Sequence, residues 1–267
     1  MPFKRMRLRN DIKEFKVYSV KFFNEKLMYK VLKEEDKKLA FKIYLYLGGL
    51  FITSLVVSNL IFQKFFYWKP FGDFEVFGAP LFEISVGILP YPLTFLITDL
   101  ISEIFGRKKA NQIVTAGIFA SFFSMAIVLL ANKVPAIPTS PVNDEVFNHV
   151  FALSPIAVFA SMLAYLFAQY VDIGIYHFWK KLTQGKQLWL RNNFSTFLSQ
   201  FIDTFTVVGL LCIFQILPWE MFYGLVISGF VFKVIVAFLD TPLLYFFVYL
   251  FRRRFNLEVN QEIDLEA

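Results

Sequence analysis

PYPLTFLITDLISEIFGRKK, residues 90–109, is the stretch whose reading decides the fold. Up to Phe105 it has the apolar density of a lipid-embedded helix, and it then runs into the basic cluster Arg107, Lys108 and Lys109. Yet Asp99 and Glu103 sit inside it, one helical turn apart and so on one face. Carboxylates are costly in hydrocarbon, and those found in membrane helices face a bundle interior or a wet cavity. The stretch predicts a membrane helix with one wall of a polar interior on it.

The rest of the chain agrees. Of 267 residues 57% are hydrophobic and 18% charged, and the mean hydropathy is +0.55. The apolar residues lie in long unbroken runs, the signature of membrane spans. Six are expected, over about residues 43–66, 86–105, 113–132, 154–178, 194–217 and 221–251. Each is long enough to cross a hydrocarbon core of about 30 Å at about 1.5 Å per residue. The fold class expected is an all-α, six-helix membrane bundle.

Lys and Arg set the orientation. Thirteen precede the first span, three lie at 107–109, four between the fourth and fifth spans and three at 252–254. Lys64, Lys69 and Lys133 fall on the other side, and Lys233 lies within a span. The positive-inside rule puts both termini in the cytoplasm. The +6 net charge is then a topology signal and no sign of nucleic-acid binding. Residues 1–42 are expected as a basic cytoplasmic segment, 43–251 as the six-helix transmembrane domain and 252–267 as a cytoplasmic tail. Ile12, Phe15, Tyr18, Phe22 and Phe23 have near-helical spacing among lysines, as in a helix lying on the inner leaflet. Asp73 and Glu75 alternate with Phe74 and Val76, which predicts a short external hairpin. The loop over 133–150 holds three prolines and is expected to be irregular. Ala160, Ala164 and Ala168 form a row of small residues for close helix packing.

Soluble chemistry has little support. Cys212 is the single cysteine, His149 and His177 are the only histidines, and neither zinc-ligand spacing nor a nucleotide-binding glycine pattern occurs. No cofactor or metal is expected. The informative residues are the polar ones inside spans: Asp99 and Glu103 in the second, Gln169 and Asp172 in the fourth, Lys233 and Asp240 in the sixth. In the fifth, Asn192, Thr196, Ser199, Asp203 and Thr206 repeat at steps of three and four, one continuous stripe. Asp203 lies about 15 Å into its helix, at the depth of Lys233, and the two are candidates to pair. Glu103 is closer to the inner interface, within reach of water or Arg107. Five acids against one lysine leave an excess suited to a cation or to hydrogen-bond donors. Pro90 and Pro92 kink the second span or set its angle, and Pro242 does the same in the sixth.

Four stretches in order, PLTFLITDLISEIFGRKKA, AYLFAQYVDIGIYHFWKK, LWLRNNFSTFLSQFIDT and FKVIVAFLDTPLLY, resemble the queuosine precursor transporter family, also called the vitamin-uptake-transporter-like family. The resemblance covers nearly all of the membrane domain and leaves out the segment up to Lys42. It implies a multi-pass bacterial inner-membrane importer of deazaguanine bases, meaning the cyano or aminomethyl precursor of queuosine or queuine, used in salvage for tRNA modification. It also implies an architecture like the substrate-binding components of energy-coupling-factor vitamin transporters. Asp99, Gln169, Asp172, Asn192, Asp203, Lys233 and Asp240 match the family's motifs. On chemical grounds a carboxylate can accept both donors of a guanine-like edge, with Gln169, Ser199 and Gln200 completing it. Glu103 and Asn192 are expected to be secondary. A coupling partner or a homo-oligomer stays open. So do two other readings: a binding component of a multi-subunit vitamin uptake system, and an intramembrane lipid-modifying enzyme.

Overall fold

The computed structural model describes residues 29–62, 64–68, 72, 75–76, 79–80, 83–151, 155–215 and 217–266. Among these the chain is mostly helical. The helices are α1 (Glu34–Ile61), α2 (Tyr91–Ile104), α3 (Gly106–Ala131), α4 (Asp144–Phe151), α5 (Pro155–Leu182), α6 (Leu188–Ile213) and α7 (Phe222–Phe255). The strands are all short: β1 (Tyr29–Lys30), β2 (Phe65–Tyr67), β3 (Glu75–Val76), β4 (Ala79–Pro80), β5 (Glu83–Ser85) and β6 (Glu262–Ile263). Among the described residues five segments are long and apolar enough to cross a membrane: Glu34–Ile61, Val86–Ile104, Gly106–Ala131, Leu188–Ile213 and Trp219–Phe255. The 28-residue α5 lies where the fourth span is expected.

The opening stretch is the axis of the bundle. Every residue of α2 from Thr94 to Ile104 is buried, because α1, α3, α5 and α7 all pack against it. Its prolines start the helix and do not kink it. Pro90 is the N-cap and Pro92 falls in the first turn, where a missing amide costs nothing. Thr94 and Thr98 return their hydroxyls to backbone carbonyls of Tyr91 and Thr94 at 2.6 and 3.1 Å. The chain leaves α2 through Gly106, at φ +81°, where a side chain would overlap the Glu262 carboxylate.

Several boundaries differ from the expected ones. α1 begins at Glu34, with Glu34, Glu35 and Asp36 in its first turn, where acids favour the helix dipole. It ends at Ile61, and residues 65 and 66, expected at the end of that span, belong to β2. α6 starts at Leu188 and takes in Arg191, which charge counting assigns to a loop. α7 continues to Phe255 and is closed by Asn256 in the left-handed region. The loop over 133–150 is not wholly irregular. It contains the start of α4, where Asn143 Oδ1 accepts the Val146 amide at 2.8 Å.

Between α1 and α2, β2 pairs antiparallel with β5, and β3 with β4. The expected hairpin is present at Glu75–Val76, while Asp73 and Phe74 lie outside the described residues, as does the expected amphipathic stretch from Ile12 to Phe23. Ser58 of α1 donates to the Gly87 carbonyl at 2.6 Å and ties this region to the bundle. Ala164 and Ala168 are buried in α5. The Ala160 side chain lies outside the described residues. At the basic end β1 and β6 pair in parallel.

Candidate functional site

Three polar groupings occupy the interior. The first joins α2, α6 and α7. Lys233 Nζ lies 2.5 Å from Asp203 Oδ2 and 4.5 Å from the centre of the Tyr91 ring. The Tyr91 hydroxyl donates to the same Asp203 oxygen at 2.5 Å. The pairing of Lys233 with Asp203 raised by their depths is therefore present. A cleft opens beside it, lined by Tyr91, Phe95, Phe232, Thr196, Gln200 and Asp240 among others. Asp240 makes no ion pair among the described residues. Gln200 Oε1 and Thr196 Oγ1 are buried without a hydrogen-bond partner there. The cavity holds about 20 Å³, room for about one water. Trp68, just after β2, and Ile84 of β5 pack on Phe232 and cover that wall.

The second grouping is deeper. Asp99 of α2 and Asp172 of α5 are 2% and 0% exposed, and their carboxyls are in hydrogen-bonding contact. Ser199 of α6 donates to Asp172 Oδ1 at 2.9 Å. One oxygen of each acid, Asp99 Oδ1 and Asp172 Oδ2, has no partner among the described residues. Gln169 sits alongside, donating to the Tyr165 hydroxyl at 2.7 Å. Asp99, Gln169, Asp172 and Ser199 are not among the residues lining the cleft. Asn192 donates to Thr241, the residue before Pro242, at 3.3 Å.

The third grouping lies at the basic end, around Glu103. It does not reach water or pair with Arg107, as its position in the sequence suggests. It is 1% exposed, with Oε1 at 2.7 Å from Arg191 Nη2 and 2.6 Å from Arg252 Nη2. Tyr176 donates to Oε2 at 3.1 Å, and Lys180 Nζ is 3.6 Å away. Arg191 is fully buried and also donates to the Gly185 and Lys186 carbonyls, each at 2.9 Å. Lys180 bridges on to Glu262 of β6 at 2.8 Å. Outside the bundle, Lys109 and Lys108 hold the exposed Glu266 carboxyl below its usual range. Each charged side chain of this assembly has an ion-pair partner, three cations sharing the carboxylates of Glu103 and Glu262, and pairing is the condition for burying ions at all.

Tyr91, Arg191 and Lys180 are functional or structural residues that pattern reading misses. Tyr91 carries a signal in hindsight, an amphipathic ring between two prolines. Arg191 and Lys180 look like topology charges, and only their partners reveal them.

Over residues 85–247 the chain matches a family model described as "putative vitamin uptake transporter". It is 28% identical over 174 residues to a Bacillus subtilis (strain 168) protein named "probable queuosine precursor transporter". That match covers 64% of this chain and 73% of the relative. No solved structure matches. The matched region runs from β5 into α7 and contains all three groupings except Arg252 and β6.

Proposed function

Because the chain belongs to the vitamin uptake transporter family, whose members are transporters and not enzymes, we propose that it imports deazaguanine bases that serve as queuosine precursors. The reading extends to six spans, a bundle resembling the substrate-binding components of energy-coupling-factor transporters, a bacterial inner membrane and cytoplasmic termini. The transport domain is taken as residues 43–251 with its helical extensions to Glu34 and Phe255.

The supporting observation is the chemistry of the cleft. A guanine-like edge presents a ring N–H and an exocyclic amine side by side. Gln200 Oε1 and Thr196 Oγ1 are buried without partners among the described residues, the half-buried Asp240 lines the cleft beside them, and a carboxylate can take two such donors at once. Tyr91, Phe95 and Phe232 line the same cleft and can face a flat ring. Buried acceptors left unpaired are costly, so a ligand that pairs with them gains what the cleft's own residues do not supply. Ligand pockets run to about 300–1,000 Å³, far above the 20 Å³ here. The base therefore enters only after α2 and α7 part near Tyr91 and Lys233.

The test is rescue. Cells unable to make queuosine, and lacking their own importer, receive this gene and a low supply of each base. Queuosine in tRNA is expected to return with at least one base and to be lost with Asp240→Asn at normal membrane abundance. No return with any of the three bases excludes the reading.

A further inference from the structure

The polar interior divides into a cleft that suits a ligand and a deeper acid pair outside the cleft lining. We infer that Asp99 and Asp172 form a proton-binding site that couples transport to a proton gradient. The inference rests on the transporter reading above.

The geometry carries it. Two carboxyls in contact and shut off from water cannot both be charged without a cation between them. The nearby cations are already engaged. Lys233 pairs with Asp203, and Arg191 is held by Glu103, Tyr176 and two backbone carbonyls. Among the described residues neither Asp99 nor Asp172 makes an ion pair, and no cluster suited to a metal ion occurs. A proton is then the ion that fits between them. The free oxygens, Asp99 Oδ1 and Asp172 Oδ2, give it a second place to go when the first contact opens. The other charged or titratable groups facing the pair are Asp240 from α7, Arg191 from α6, Tyr91 from α2, and Tyr165 and Tyr176 from α5.

The pair is also wired to the cleft. Ser199 holds Asp172, and its neighbour Gln200 lines the cleft. Asp99 is one turn along α2 from Phe95, a cleft wall. Loss of the proton sets two like charges against each other and drives α2 and α5 apart. That movement shifts Phe95 and Gln200 together. In balance, one proton enters from the outer side, is shared by the two carboxyls, and leaves to the cytoplasm as the pair reopens. No bond other than O–H is made or broken.

Two measurements test it on the full chain. In lipid nanodiscs, infrared difference spectra across a pH titration are expected to show a protonated-carboxyl band, shifted in heavy water, that is lost in Asp99→Asn and in Asp172→Asn. In vesicles, an inward proton gradient is expected to raise accumulation of the aminomethyl or cyano base about tenfold over no gradient. Absence of the band, or its persistence in both variants, overturns the proton site. Uptake that ignores the gradient overturns the coupling. A band that behaves as expected with no uptake of either base overturns the deazaguanine reading and leaves the proton site standing.

Discussion

Asp203 Oδ2 is shared: Lys233 of α7 and Tyr91 of α2 both bind it, each at 2.5 Å. One oxygen on α6 thus joins three helices beside the cleft. Lys233→Met leaves that carboxylate buried without its cation, a loss of about 3–5 kcal/mol. The double variant Lys233→Met, Asp203→Asn removes both charges and is expected to recover most of the loss. Thermal unfolding in detergent reads the difference. Equal stability of the single and double variants would rule out a significant contribution from the pair.

Arg191 and Arg252 bind the same oxygen of Glu103, yet they differ in exposure, 0% against 26% for the side chains. Arg191→Gln removes a fully buried cation from Glu103 and frees two backbone carbonyls, so about 3–5 kcal/mol is expected to be lost. Arg252→Gln, partly screened by water, is expected to cost about 1 kcal/mol or less. Membrane abundance and melting temperature should rank them in that order. The reverse ranking would place the hub's weight on α7.

Asp99→Asn and Glu103→Gln are expected to fail in different ways. The first removes a charge from a pair that has no cation partner, so the protein accumulates in the membrane but transport is lost. The second leaves Arg191, Arg252 and Lys180 crowded without their shared anion, so abundance falls first. Precursor-dependent tRNA modification, normalised to protein in the membrane, separates the two. Normal uptake by Asp99→Asn would make Asp99 a packing residue.

Gly106→Ala meets two penalties at once, a positive φ costing an alanine about 1–2 kcal/mol and overlap with the Glu262 carboxylate. The residues after α7 are expected to come loose, seen as faster cleavage there in limited proteolysis of inverted vesicles. Glu262→Ala in the same chain should relieve the overlap but not the backbone strain, and so restore protection only in part. Full restoration would show that the φ at Gly106 is not limiting.

The topology has its own check. A reporter active only outside the cytoplasm should be bright after Lys133 and dark after Lys181 or Arg254. A bright signal after Lys181 contradicts the charge-based orientation.

Some of this is legible without coordinates and some is not, for reasons that differ residue by residue. The stripe on α6 is legible because helical steps of three and four survive in any apolar background, and Asn192, Thr196, Ser199 and Asp203 are indeed buried. The burial of α2 on all sides is not, because lipid and neighbouring helices select the same apolar residues. Which acids share a grouping also escapes the pattern. Asp99 meets Asp172 while Asp240 lines the cleft, a matter of helix rotation that spacing along one helix does not set. Arg191 escapes for a third reason. Charge counting treats every arginine near a span end as solvated, and its partners Glu103, Gly185 and Lys186 belong to other segments.

The parallel pairing of Tyr29 with Glu262 and Lys30 with Ile263 joins segments that stand before and after every helix described. It can form only once every helix between has been synthesised and both ends lie on the same side of the membrane. Its backbone amides are therefore a built-in report of finished biogenesis. A chain with one span misinserted would present both strands singly, as unpaired edges open to quality-control proteases.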